Sequence, residues 1–101
     1  MAATVEELFE EVATRLVAEG AERGRMLRSE GLKAGGRFFA FAKGHELVVK
    51  LPATRVRELV DCGAGEPFRS GGRVMKEWVT LRPSSSGALT HYVAEAREFV
   101  L

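Results

Sequence analysis

Cysteine occurs once in 101 residues, as Cys62. A single thiol excludes an internal disulfide framework and a cysteine-rich zinc module. Histidine occurs twice, as His45 and His91, far apart and without ligand spacing, so the expectation is no metal site. Net charge is nearly absent as well: 15 basic against 14 acidic residues leave +1, which excludes a polyanion binder recognisable by charge alone. No window approaches about 18 apolar residues, so no transmembrane helix is expected and no membrane partner. The first eleven residues carry four glutamates and no basic start, unlike a secretory leader. With one thiol and no such leader, the expected compartment is the cytosol.

What remains is an ordinary globular composition, 46% hydrophobic and 29% charged, at the size of one domain. A chain of this length buries roughly two thirds of its unfolded surface, enough for one core. The expected organisation is a single domain over residues 1–101.

Thr4 and Glu7 form a T-x-x-E capping box ahead of a helix. Its stripe is Val5, Leu8, Phe9, Val12, Leu16 and Val17, and Gly20 stops it. Glu6, Glu7, Glu10 and Glu11 fall largely outside the stripe, as a solvated face near the positive end of the helix dipole. Residues 23–52 read as three strands and two tight turns, at Ala34-Gly35-Gly36-Arg37 and Lys43-Gly44-His45. In ELVVKL, Leu47, Val49 and Leu51 share one face while Glu46, Val48 and Lys50 share the other. Strict alternation sends Phe39 and Phe41 to one side of their strand and Phe38 to the opposite side. Pro52 starts a second helix with Val56, Leu59 and Val60 inward, and Gly63 ends it. Residues 63–72 read as loop by composition. RVMKEWVTL, residues 73–81, follows as a strand, with Met75, Val79 and Leu81 on one side and Val74 and Trp78 on the other. Serines after Pro83 cap a last helix with Leu89, Tyr92, Val93, Ala96, Phe99 and Val100 inward. The fold class is therefore α+β: a mainly antiparallel sheet of four to five strands with three helices, order α-β-β-β-α-β-β-α.

Several words in this order resemble the TfoX N-terminal domain family, over about Arg25 to Phe99. They are Met26-Leu27, Gly31-Leu32-Lys33, Gly36-Arg37-Phe38-Phe39-Ala40, Val49-Lys50-Leu51, Gly65-Glu66-Pro67-Phe68, Met75-Lys76-Glu77-Trp78-Val79 and Glu95-Ala96-Arg97. The M-K-E-W-V word after a glycine-rich turn is the most specific. The family often opens M-F-G-G, where this chain has Met26-Leu27-Arg28-Ser29. The YjbR family has a similar order of elements and is the second match. The resemblance implies the fold order above and no reaction. It marks Gly36, Phe39, Lys50, Pro67, Phe68, Met75, Lys76, Glu77 and Trp78 as the motif residues.

Local chemistry points to no enzyme and no cofactor. Cys62, next to Gly63 at a helix end, reads as a small packed residue, and that end of a helix raises a thiol pKa rather than lowering it. Charge, however, is uneven: residues 1–22 sum to −5 and residues 23–101 to +6. Arg23, Arg25, Arg28, Lys33 and Arg37 fall on the first hairpin, and Arg69, Arg73 and Lys76 join them if their strands are neighbours. Such a stripe would contact phosphates, and the resemblance to competence regulators makes weak nucleic-acid binding the second functional reading, with an unrecognised enzyme as the third. The first reading is a non-enzymatic module acting through protein contacts, with another protein or with a second copy as a homodimer. It rests on bulky residues on both faces of two strands, which leave one face for a helix, a loop or a partner to cover. Trp78, set in mid-strand among apolar residues, is expected to be buried.

Overall fold

The structure, a computed structural model, describes residues 4–26 and 29–101, with Met26 described by its backbone alone. Leu27 and Arg28, expected in the family's opening word and the basic cluster, lie outside the described residues.

Thr4 caps helix α1 (Val5–Ala18), its Oγ1 accepting from the Glu7 N–H at 3.1 Å. Gly20, at φ 108°, closes the helix, and the next amide, Ala21 N–H, reaches back to the Leu16 carbonyl. Four strands follow: β1 (Glu22–Met26), β2 (Ser29–Ala34), β3 (Arg37–Lys43) and β4 (Glu46–Lys50). Helix α2 (Ala53–Asp61) begins after Pro52 and ends before Gly63. Strands β5 (Gly65–Ser70) and β6 (Arg73–Leu81) precede helix α3 (Ser86–Val100), which Ser85 caps by accepting from the Ala88 N–H. All pairings are antiparallel, and the sheet runs β1-β2-β3-β4-β6-β5. The α+β class with three helices stands, with six strands in the sheet.

The sheet has one strand more than the order α-β-β-β-α-β-β-α and two more than the segments read as strands, and the two have different causes. The stretch before Gly35 reads as one strand but is the hairpin β1–β2. Its polar middle, Arg25 to Glu30, offers none of the paired glycines that announce a turn. Residues 63–72 read as loop because they are rich in Gly and hold Pro67, yet Gly65–Ser70 is an edge strand. Proline is tolerated at an edge, where its missing N–H costs no ladder bond. Gly71 and Gly72, at φ 58° and 80°, make the two-residue turn into β6; Gly35 and Gly36, at 57° and 80°, make the same turn between β2 and β3.

All three helices lie on one side of the sheet. The main core there joins Phe9, Val12 and Leu16 of α1, Val56 and Leu59 of α2 and Leu89 and Val93 of α3 to Leu47, Val49 and Val79 of the sheet. Val17 and Phe99, counted in the helix stripes from spacing, are exposed instead. Their neighbours Leu16 and Val100 still pack on the main core, so Val17 and Phe99 lie just off the buried line near the C-terminal ends of α1 and α3. Cys62 is exposed rather than packed, because it is the C-cap of α2 and lies off the line of Val56 and Leu59. Among the described residues no helix is long and apolar enough to cross a membrane.

Candidate interaction surface on the helix-free face

The side of the sheet that no helix covers carries its own apolar cluster. Phe41, Val48 and Trp78 form its centre, with relative exposures of 1%, 2% and 6%, and Phe38, Phe68 and Met75 surround them, half-buried. Burial without a helix has a geometric cause. Phe41 stands on β3 and Phe68 on β5, with β4 and β6 between, so a flat sheet would hold them about 14 Å apart. Their ring centroids are 5.7 Å apart, and Phe68 is 6.4 Å from Trp78. The outer end of the β5–β6 hairpin therefore curls over this face. The curl has its origin in the register: Pro67 pairs with Val79 and Phe68 with Met75, so residues 76–78 of β6 have no partner on β5.

The same irregularities overturn two face assignments made from alternation. A bulge in β3 lies where Leu32 pairs with Ala40 and Lys33 with Phe38, leaving Phe39 opposite no residue. Phe39 and Ala40 then both enter the helix-side core, while Phe38 and Phe41 share the helix-free face. Met75 likewise lies with Trp78 and not with Val79, because three unpaired residues break the period of two. The alternation read for β4 stands, with Leu47 and Val49 in the main core and Val48 in the satellite cluster. Trp78 is buried, as its place in the strand requires, though among Phe41, Phe68 and Met75.

Lysines frame the cluster. Lys33 Nζ stands 5.3 Å from the Phe38 ring centroid and Lys50 Nζ 6.0 Å from that of Trp78, both within cation–π range. Lys33 pairs across the ladders with Phe38 on β3 and with Glu22 on β1, and Lys50 with Trp78. A hollow of about 480 Å³ opens beside them between Lys50, Arg73, Met75, Lys76 and Trp78, with Glu77 on its wall. Lys76 and Glu77 are both exposed, in the stretch where β6 has lost its β5 partner. Among the described residues none of the chain's four lysines is within ion-pair distance of a carboxylate.

The arginines distribute differently. Arg23 and Arg25 pair with Leu32 and Glu30, and Arg37 with Ala34, which turns all three to the helix side. Arg23 is spent on α1, with Nη2 2.7 Å from Glu10 and Nη1 3.7 Å from Glu30. Lys33 points the opposite way. Arg69, Arg73 and Lys76 lie on β5 and β6, separated from β1 and β2 by β3 and β4. The basic residues read from the first hairpin thus divide between two faces. Arg55 bridges Glu95 at 2.8 Å, Arg82 bridges Glu46 and Glu66 at 2.7 and 2.8 Å, and Arg97 bridges Glu19 at 3.4 Å. These contacts set the shifted protonations. Hydrogen bonds to Glu10, Glu95 and Glu66 raise Arg23, Arg55 and Arg82, and the Arg82 guanidinium holds the Glu66 carboxyl below the usual carboxylate range.

Other candidates are scattered. His45, Cys62 and His91 are exposed on different elements. Among the described residues no three His, Cys, Asp or Glu gather closely enough to hold a metal ion. A groove of about 640 Å³ separates α1 from α3, floored by Val12 and Leu16 and rimmed by Arg15, His91, Glu95 and Glu98. Of the family-like words, Gly36 makes a turn and Phe39 fills the main core. Lys50, Phe68, Met75 and Trp78 come together on the helix-free face, with Lys76 and Glu77 at its rim and Pro67 on the adjoining edge strand. Sequence reasoning found each word but not their meeting, because the curl that brings Phe68 to Phe41 depends on a pairing defect with no local signature. No family model, no curated protein and no solved structure matches the chain.

Proposed function

We propose that this chain is a non-enzymatic, cytosolic module of the TfoX N-terminal type that works by protein contact through the helix-free face of its sheet. One observation carries the reading. The face that no helix covers presents half-buried Phe38, Phe68 and Met75 inside a charged rim that includes Lys33, Lys50, Glu22 and Glu46. Apolar side chains at the centre with charge at the rim are the anatomy of a protein-binding surface. Support for the family part is that one or two residues of each word, Lys50, Phe68, Met75 and Trp78, come together at that surface. Support for binding over catalysis is the distribution of shifted groups: Arg23, Arg55, Glu66 and Arg82 each stand in an ion pair at the surface rather than converging in the hollow.

The test is capture by immobilised protein from a cytosolic extract, comparing the parent chain with Lys50→Glu/Met75→Glu and with the helix-side control Arg15→Glu on α1. Recovery of a protein by parent and control and its loss with the double variant is the expected result. Equal recovery by all three would overturn the reading.

A further inference from the structure

We propose that the hollow beside β6 binds a small phosphomonoester whose carbon skeleton bears hydroxyl groups, with the phosphate among Lys50, Arg73 and Lys76 and a hydroxyl donated to Glu77. This is a small-molecule site, distinct from the protein contact proposed above.

The hollow, about 480 Å³, is of ligand size. A pairing defect makes it. Strand β6 pairs with β5 over residues 73–75 and 79–81 and with β4 over residues 78–81, so Lys76 and Glu77 stand in neither register. The facing residues of β5, Pro67 and Phe68, are adjacent, and three residues of β6 bulge out between their partners. The Leu51 N–H ties the bulge to the end of β4 by donating to the Glu77 carbonyl at 3.0 Å. Such irregularities re-aim side chains, and this one brings Lys76 and Glu77 to the wall of the hollow. Lys50 reaches it from the last position of β4, and Arg73 from the first position of β6, opposite Ser70.

Three cations around one hollow repel each other, and among the described residues none of them is within ion-pair distance of a carboxylate. That sets this end of the sheet apart, since Arg23, Arg55, Arg82 and Arg97 are each bridged to a glutamate. The other carboxylates of this face stand away from it. Glu46 is at the opposite end of β4 from Lys50, about 13 Å along the strand. Arg82 holds it there together with Glu66, and Glu22 lies on the far edge strand, β1. A bound anion relieves the repulsion.

The chemistry of the site selects among anions. A phosphomonoester carries a charge of about −1.5 to −2 at neutral pH and three acceptor oxygens, one for each cation. A carboxylate brings one charge and two oxygens and leaves a cation unmatched. Glu77 is unbridged and accepts only, so it suits a ligand that also donates from a hydroxyl. Met75 offers the carbon skeleton an apolar wall. The arginines of the first hairpin face the helix side and do not extend these charges into a track for a polynucleotide.

The test is titration at physiological ionic strength with ribose 5-phosphate, methyl phosphate and ribose. It is followed by calorimetry and by the emission of Trp78, the chain's one tryptophan, which lines the hollow. Ribose 5-phosphate is expected to bind saturably, about tenfold more tightly than methyl phosphate, and ribose not at all. Arg73→Gln/Lys76→Gln should weaken ribose 5-phosphate at least about tenfold, and Glu77→Ala should remove its advantage over methyl phosphate. If the double variant does not fold, Lys76→Gln alone serves, with a loss of about threefold expected. No saturable binding, binding of ribose itself, or an affinity and preference unchanged by these substitutions overturns the proposal. So does a thymidine oligonucleotide of about 20 nucleotides that binds more than about 100-fold tighter through Arg73 and Lys76, since the cations then serve a polynucleotide. Neither Arg73 nor Lys76 is altered in the extract-capture test, so failure here leaves the protein-contact reading standing.

Discussion

The Phe41 and Phe68 rings meet edge to face, with centroids 5.7 Å apart and planes at 75°, across two intervening strands. That contact closes the outer β5–β6 hairpin over the helix-free face and keeps Phe41 out of water. A double-mutant cycle with Phe41→Leu and Phe68→Leu should return a coupling of about 0.5–1.5 kcal/mol. A coupling of zero would mean that the hairpin does not hold this curl in solution.

Trp78 anchors the same cluster from β6, against Phe41 at 6.0 Å. Trp78→Ala should cost roughly 3–5 kcal/mol, a large part of the stability of a domain this size. Chemical denaturation reads it directly, and an unchanged midpoint would remove Trp78 from the core.

Two glycines should respond in opposite directions. A Cβ at Gly65 would stand 2.7 Å from Val79 Cγ2, 3.0 Å from Leu81 Cδ2 and 3.2 Å from the Thr80 carbonyl oxygen. Gly65→Ala should therefore lose about 1–3 kcal/mol, since the edge strand must move off β6. A Cβ at Gly87 meets nothing within 4 Å in the first turn of α3, and Gly87→Ala should gain about 0.5 kcal/mol. Thermal midpoints of the two variants on opposite sides of the parent would bear this out.

Glu66 gives the pH dependence. Its carboxyl is held below the usual range by the Arg82 hydrogen bond, so over that window the unfolded chain binds more protons than the folded one. The stability it contributes is present above the unfolded carboxylate value and disappears as pH falls through the depressed folded value. Carboxyl-carbon NMR titration should show Glu66 moving up towards the ordinary value in Arg82→Gln. A Glu66 titration unaffected by that change would mean that the pair is open in solution.

Much of this fold is legible residue by residue. Thr4, Ser85, Pro52 and Gly63 bound the helices by capping chemistry that acts within a few residues, and the glycine pairs at 35–36 and 71–72 mark turns for the same reason. What alternation misplaces is Phe39, Phe41 and Met75, because each lies next to an extra residue in one strand. A bulge shifts every later side chain to the other face, and whether it forms depends on the partner strand. The helix-free surface inherits that dependence. Its residues stand out singly as the aromatics and lysines of recognisable words, but their assembly rests on pairing between β3 and β2 and between β6 and β5. The split of the basic hairpin, with Arg23, Arg25 and Arg37 on the helix side and Lys33 on the other, likewise depends on which residues of the neighbouring strand they oppose.

The most direct measurement is photo-cross-linking in a cytosolic extract with benzoylphenylalanine in place of Phe68 on the helix-free face, and in place of the exposed Glu11 on α1. Protein adducts from position 68, lost when Lys50→Glu is added and absent from position 11, are the predicted result. No adduct at 68, or the same adducts from both positions, would contradict protein contact through that face.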